Sequence, residues 1–195
     1  FYANLYDIKQ TPTYSMRTLA YHEATPGHHH QIAHSLENEN LTLYRRFGYG
    51  TSAFSEGWAL YAERLALEVG LAENPYDELG ILQSELFRSV RLVVDTGMHY
   101  KRWTREEAMD YMKSITGMSD TEVRVEIERY IVWPGQALSY KVGMIKMLEL
   151  REKAKQELGD QFNIKDFHSA VLDHGNPPLF IVEKMVDKMI NDAKS

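Results

Sequence analysis

The chain has 195 residues, of which 44% are hydrophobic and 26% charged, as expected of one globular domain with a hydrophobic core. Its net charge of −6 gives no basis for nucleic acid or an anionic membrane surface as a partner, and no apolar run is long enough to span a membrane. Because the chain has no cysteine, disulfides and thiolate metal ligands are excluded, while the cellular compartment stays open.

The first predicted helices lie on either side of a break at the Pro-Gly step 26–27. Residues 1–13 are expected to be extended or irregular, because aromatic and polar residues alternate there and a proline blocks a helix. One helix is expected over residues 13–23. A second is expected over residues 28–47, where glycines end it.

The rest of the chain shows clear signals for helix starts. Thr104-x-x-Glu107 and Ser119-x-x-Glu122 are capping boxes, and an asparagine at 74 precedes a proline. Helices are therefore predicted to start near residues 54, 75, 105, 120, 136, 163 and 178. The sequence predicts an all-α fold, a single domain of about seven to nine helices with a metal between the first three.

Histidines are concentrated in one short segment. Four of the eight lie within residues 22–30, in the run YHEATPGHHHQ. Zinc is bound by neutral imidazole nitrogens and by carboxylate oxygens. On an unbroken helix, however, His28 would lie about 120° away from the face of His22 and about 9 Å along the axis. Two nitrogens placed in this way cannot bind one ion.

The Pro-Gly step at 26–27 resolves this conflict, because proline interrupts a helix and glycine tolerates unusual dihedral angles. We predict His22 and His28 as metal ligands, with His29 as the alternative to His28. Glu23 would polarise a metal-bound water as general base. The competing interpretation is a helix end followed by a polar, histidine-rich helix start that binds metals adventitiously.

Four motifs together resemble one known family. They are YHEATPGHHxQ at 21–31, SEGWALYAE at 55–63, RY at 129–130 and PGQALSYKxG at 134–143. The combination resembles the bacterial family catalogued as domain of unknown function 885, over about residues 2–179. The resemblance implies a gluzincin-like, zinc-dependent peptidase-like protein of which this chain is the C-terminal, catalytic third. It also favours a periplasmic or extracellular location, although the chain shows no signal peptide.

The resemblance implies a third metal ligand. In a gluzincin-type site this ligand is a Glu from a helix downstream of the histidine motif, which points to Glu56, 28 residues after His28. Taken alone, Glu56 would only complement a helix N-terminus. Glu63, at i+7 on the same face, is the alternative ligand or a partner of a ligand histidine.

Two residues are candidates for stabilising the transition state. The hydroxyl of Tyr140 near a metal site would donate to the oxyanion of a tetrahedral intermediate; the alternative is a core tyrosine. Related metallopeptidases use a His or Tyr late in the chain for this task, which implies His174 as a second candidate. A Gly and two prolines follow His174 and hold it on a rigid corner.

Three more residues are candidates for binding substrate. Arg129 would clamp a substrate carboxylate, or else form a surface ion pair. Gln136 lies on the same side of its helix as the candidate tyrosine. His99 is expected to contact Asp95 at i, i+4, either as a satisfied core pair or as a pair that orients substrate, and the resembled family carries this segment as well.

The predicted function is zinc-dependent hydrolysis of an amide bond in a peptide. The expected partners are the peptide and the N-terminal remainder of the chain. One alternative is a catalytically inactive, metallopeptidase-like protein that binds peptides or a partner protein. The other is a metal-binding module in which residues 28–30 take nickel or copper.

Overall fold

A computed structural model describes residues 12–48 and 50–195 of the chain. These residues contain ten α-helices and no strand, and the third helix has only 5 residues. The helices are α1 Met16–Glu23, α2 His28–Glu37, α3 Leu43–Phe47, α4 Ser52–Glu68, α5 Pro75–His99, α6 Arg105–Thr116, α7 Asp120–Val132, α8 Ser139–Leu158, α9 Ile164–Leu172 and α10 Leu179–Ala193. The all-α prediction is confirmed. The expected irregular start lies almost entirely in residues 1–11, outside the described residues.

The predicted helix starts are set by their caps. The Asn74 side chain accepts hydrogen bonds from the backbone N–H groups of Tyr76 and Asp77 at the start of α5. Thr104 and Ser119 each form a complete capping box, in which the Glu three residues later returns a bond to the cap backbone. These bonds satisfy backbone donors that a helix start leaves free, so local sequence alone fixes the starts of α5, α6 and α7.

The single helix predicted over residues 28–47 is wrong, because the chain leaves the helix at Asn38. The Asn38 side chain accepts a hydrogen bond from the backbone N–H of Asn40 at 3.1 Å and donates to the carbonyl of Asp173 at 3.1 Å. An asparagine that bonds its own backbone two residues on offers the chain an alternative to the helix. The segment is therefore divided into α2 and the short α3.

Helices α4 and α8 cross at two glycines. A Cβ atom added to Gly57 would lie 2.5 Å from Cα of Gly143, and one added to Gly143 would lie 1.9 Å from the carbonyl oxygen of Ala53. Only glycine permits this approach of two backbones. Glu56 directly precedes Gly57 on α4, and Tyr140 lies about one helical turn before Gly143 on α8, so both are near this crossing.

Two hydrophobic clusters stabilise the fold. The larger joins α4, α8, α9 and α10 and includes Trp58 and Phe167, both at most 2% exposed. The smaller joins α5, α6 and α7 around Val94 and Met112. The segment that carries the histidines packs against α4 beside the larger cluster. No helix among the described residues has the length and apolar character needed to cross a membrane.

Candidate metal centre

The backbone turns sharply between α1 and α2, as the Pro-Gly step predicts. Helix α1 ends at Glu23 and α2 begins at His28. The indole Nε1 of Trp58 donates to the carbonyl of Pro26 at 2.9 Å, which ties the turn to α4. A Cβ atom on Gly27 would lie 1.9 Å from the carbonyl oxygen of His22, so a side chain at this position would block the turn. The turn brings the start of α2 back towards His22.

His22, His28 and Glu56 form a cluster that can hold a metal ion. Each offers one ligand atom, and these atoms lie within 4.8 Å of one another. Oε2 of Glu56 lies 3.2 Å from Nε2 of His28 and 3.6 Å from Nε2 of His22. The two imidazole rings meet edge to face, with centroids 4.8 Å apart. Three donors from α1, α2 and α4 therefore converge on one point.

The two distances from Glu56 to the imidazoles suit ligands of one tetrahedral zinc ion. Ligand atoms about 2.0–2.1 Å from a shared tetrahedral zinc lie about 3.3 Å from one another. Both distances from Oε2 of Glu56 are close to that value. This oxygen is also buried and has no hydrogen-bond partner among the described residues. A buried acceptor without a hydrogen bond is costly, and a cation bound at this point would satisfy it.

The charges of the cluster favour a carboxylate that is ionised. Burial raises the pKa of Glu56, but the facing imidazoles of His22 and His28 outweigh burial and lower the pKa to about 2. Burial lowers the pKa of His22, but the carboxylates of Glu56 and Glu63 outweigh it and raise the pKa. The electrostatics of the pocket therefore favour a positive charge next to Glu56.

Glu63 contacts the far side of the His22 ring. Its Oε1 lies 2.6 Å from Nδ1 of His22, and both side chains are almost fully buried. A carboxylate on one ring nitrogen fixes the tautomer of a ligand histidine and directs its other nitrogen to the metal. The geometry thus gives Glu63 the role of a partner to His22, one of the two roles that the sequence left open.

Tyr140 lies directly beside the cluster. Its ring stacks on that of His22, with centroids 6.1 Å apart and planes at 22°. The hydroxyl accepts a hydrogen bond from Nε2 of Gln136 at 3.3 Å. The guanidinium of Arg91 lies 4.3 Å from the ring centroid. Tyr140 is thus in contact with both a candidate metal ligand and a buried cation.

Gln136 links this tyrosine to two arginines. Its Oε1 accepts from Arg91 at 3.1 Å and from Arg129 at 3.4 Å. Arg129 is partly exposed and also lies 3.7 Å from Glu126. Two of the candidate substrate-binding residues, Arg129 and Gln136, are therefore in contact with each other, and Gln136 connects them to Tyr140.

The expected contact between Asp95 and His99 is replaced by two separate ones. Asp95 accepts a hydrogen bond from the backbone N–H of Gly135 at 3.0 Å. Nε2 of His99 bonds the carbonyl oxygen of Tyr130 at 2.9 Å. Backbone groups of α7 and of the turn that follows it therefore bond both side chains, and together they hold the turn that leads to Gln136. His99 itself is exposed.

The remaining candidates lie at the edge of the centre or away from it. Glu23, the last residue of α1, is exposed, as is His29. His174 lines a cavity of about 300 Å³ with residues of the α3–α4 connection and the start of α10, and none of the three candidate ligands lines that cavity. Burial lowers the pKa of His174.

Sequence inspection overlooked the arginines of α5. Arg91 is 2% exposed and lies in the apolar run that also contains Asp95. A charged residue in such a run indicates a buried, paired side chain, so the sequence did contain a signal for Arg91. Arg88 also lies over the Tyr140 ring, at 5.7 Å. With Glu63 it lines a cavity of about 490 Å³ that reaches the partner carboxylate but none of the three candidate ligands.

Comparison with known proteins places the chain in a family. The model of a family described as "Bacterial protein of unknown function (DUF885)" matches residues 1–186. The chain belongs to the DUF885 family. No curated protein matches this DUF885 chain.

Two solved structures of longer proteins are similar to this DUF885 chain. One, described as a putative lipoprotein from Colwellia psychrerythraea, is 52% identical over 97% of the chain, with a TM-score of 0.93. Another, described as a putative lipoprotein of unknown function from Shewanella oneidensis, is 29% identical over 91% of the chain, with a TM-score of 0.83. The chain spans 32% of the length of each.

Proposed function

We propose that this DUF885 chain carries the catalytic centre of a gluzincin-like, zinc-dependent hydrolase that cleaves peptide bonds. The proposal is supported mainly by one observation: three donors from three helices converge within 4.8 Å, and Glu63 fixes the ring of one of them. Because the chain spans 32% of the length of its solved relatives, the activity is proposed for the full-length protein.

The donor set supports zinc as the cation. His22, His28 and Glu56 supply two imidazoles and one carboxylate, the combination found in catalytic zinc sites with three protein ligands and one open position. Magnesium and calcium prefer sites made of oxygen ligands alone. A bound zinc ion supplies a water whose pKa is near neutrality and polarises a carbonyl oxygen.

Two side chains then move protons and stabilise charge. Glu23 follows His22 directly and is exposed, so in this proposal its carboxylate takes the proton of the attacking water and passes it to the leaving amine. The hydroxyl of Tyr140 accepts from Gln136, which leaves its own hydrogen to donate to the oxyanion that develops on the carbonyl. His174 is the alternative donor, provided that substrate binding moves the turn at His174 towards the metal centre.

The peptide is expected to bind on the side of the centre where Arg129 lies. Arg129 is partly exposed and contacts Gln136, so its planar fork is available to a substrate carboxylate beside Tyr140. His99 is exposed near the same turn and contributes a weaker polar contact. The descriptions of the two solved relatives as lipoproteins support a periplasmic or extracellular location for this activity.

Replacement of Glu23 by Gln tests the proposal. The full-length protein is purified, its metal content is measured by elemental analysis, and a peptide library is incubated with and without chelator. We expect one zinc ion at this centre in both forms, with cleavage only in the wild type. His29→Ala is the matched control and should change neither result. Hydrolysis that survives Glu23→Gln or a chelator contradicts the mechanism.

The same experiment distinguishes the alternatives. An inactive peptide-binding protein would retain zinc and peptide affinity but show no turnover in the wild type. A histidine-rich module for nickel or copper would lose its metal on His29→Ala and keep it on Glu56→Gln. A zinc hydrolase shows the reverse pattern, because Glu56 is a ligand and His29 is not.

A further inference from the structure

Two histidines of α2 and an aspartate at the end of α9 lie close together, all of residue types that can bind metals. His30 and His34 are one helical turn apart on α2, and their ring centroids are 6.3 Å apart. Nε2 of His34 lies 2.6 Å from Oδ1 of Asp173, which is 139 residues further along the chain. Two imidazoles and a carboxylate from distant parts of the sequence therefore share one surface.

This cluster is separate from the candidate centre described above. His28 and His30 are two residues apart, which is about 200° around a helix, so the two rings leave α2 on opposite sides. His168, on α9, lies nearby, but its Nε2 is already bonded to the hydroxyl of Tyr61 at 2.8 Å. The second cluster thus consists of His30, His34 and Asp173.

The backbone around Asp173 keeps its side chain close to α2. Asp173 forms the C-cap of α9, and its carbonyl accepts a hydrogen bond from the side chain of Asn38 at 3.1 Å. Asn38 in turn forms the C-cap of α2. The ends of the two helices are therefore already joined, and the carboxylate needs no backbone movement to stay within reach of His34.

We propose that His30, His34 and Asp173 form a second site for a divalent transition-metal ion, which ties α2 to α9. Imidazole and carboxylate together suit zinc, nickel and copper. On binding, the proton between His34 and Asp173 is lost to solvent and the cation takes its place. The two atoms, now 2.6 Å apart, separate slightly to the spacing of about 3.3 Å typical of ligands on one ion. His30 is exposed and turns its ring to complete the set.

Titration of Zn²⁺ into the metal-stripped, full-length protein tests this site. We expect calorimetry to show that His34→Ala binds one equivalent fewer than the wild type. Asp173→Asn keeps a polar side chain at the C-cap and should weaken the same equivalent. His29→Ala, an exposed histidine of the same run outside the proposed set, should bind as many equivalents as the wild type. Unchanged stoichiometry in His34→Ala overturns the proposal, as does equal loss in His29→Ala.

Glu56→Gln separates this site from the proposed catalytic centre. If both sites exist, Glu56→Gln and His34→Ala each lose a different equivalent, and the double variant loses two. Loss in His34→Ala without loss in Glu56→Gln supports the second site and rejects the zinc centre. Loss in Glu56→Gln alone supports the zinc centre and rejects the second site. Circular dichroism of each variant shows that the fold is retained.

Discussion

Nδ1 of His22 lies 2.6 Å from Oε1 of Glu63, and each residue is at most 3% exposed. The contact is made on the side of the ring opposite to Glu56. A buried carboxylate in this position has a cost unless its charge is used, and here it orients the imidazole and increases its basicity. In the proposed centre, the affinity for metal would therefore depend on a residue that need not touch the metal.

Glu63→Ala should weaken metal binding at the centre by about 10–100-fold, the range for loss of a partner to a ligand histidine. Glu63→Gln keeps an acceptor for the ring N–H but removes the charge, so its effect should be smaller. The dissociation constant for zinc is measured by competition with a coloured chelator. The control is Glu73→Gln, because the Glu73 side chain is 66% exposed and pairs with Arg17 at the surface. Equal affinity in Glu63→Ala and wild type would contradict this role.

Gly57→Ala should destabilise the protein by about 1–3 kcal/mol, the usual cost of overpacking a core. The added methyl would lie 2.5 Å from Cα of Gly143, so α4 and α8 must separate. Because Glu56 and Tyr140 flank this crossing, zinc affinity should fall as well. Urea denaturation measures the change in the free energy of unfolding, and Ser52→Ala, an exposed position of the same helix, is the control. A stability equal to wild type would show that the crossing is not tight.

The elements that the sequence predicts well are those with local causes. The Pro-Gly step at 26–27 ends α1, and the capping boxes at Thr104 and Ser119 start α6 and α7, because each signal acts within four residues. The spacing of His22 and His28 likewise shows from sequence alone that one ion requires a break. These parts of the fold follow from short-range backbone chemistry.

The parts that the sequence misses have distant partners. Asp95 and His99 are close on one helix, yet His99 bonds a backbone carbonyl of α7 and Asp95 bonds a backbone N–H of the turn after α7. The i, i+4 rule predicts neither contact. Arg91 also contacts Gln136 and Tyr140, which are more than 40 positions away. Helical periodicity shows which residues share a face but not which element will cover that face.

The metal-stripped protein should become less stable at acidic pH, and protonation of His168 should be one cause. Burial and the Arg151 guanidinium lower the pKa of His168 from 6.5 to about 4, and Nε2 of the neutral ring is hydrogen-bonded to the Tyr61 hydroxyl. A histidine with a lowered pKa binds its proton more readily in the unfolded chain. Its stabilising contribution is therefore complete above pH 6.5 and is lost as the pH falls towards about 4.

Replacing His168 with Gln keeps a polar group near Tyr61 and removes this titration. The free energy of unfolding is measured by urea denaturation of both forms between pH 7 and pH 4. The wild type should lose up to about 3 kcal/mol more than His168→Gln over this range. Parallel curves for the two proteins would show that the ring titrates normally in the folded state.

Tyr140→Phe should lower kcat by about 10²–10³-fold, the usual effect of removing one donor to a developing oxyanion. The ring of Tyr140 stacks on His22 and packs against Arg91, and phenylalanine keeps both contacts, so zinc affinity and stability should change little. KM should also change little, because the hydroxyl acts on the charge of the transition state more than on the bound peptide. Tyr44→Phe, at an exposed position, is the matched control. A fall in zinc affinity with kcat intact would instead mean that the hydroxyl supports the metal ligands and takes no part in the chemical step.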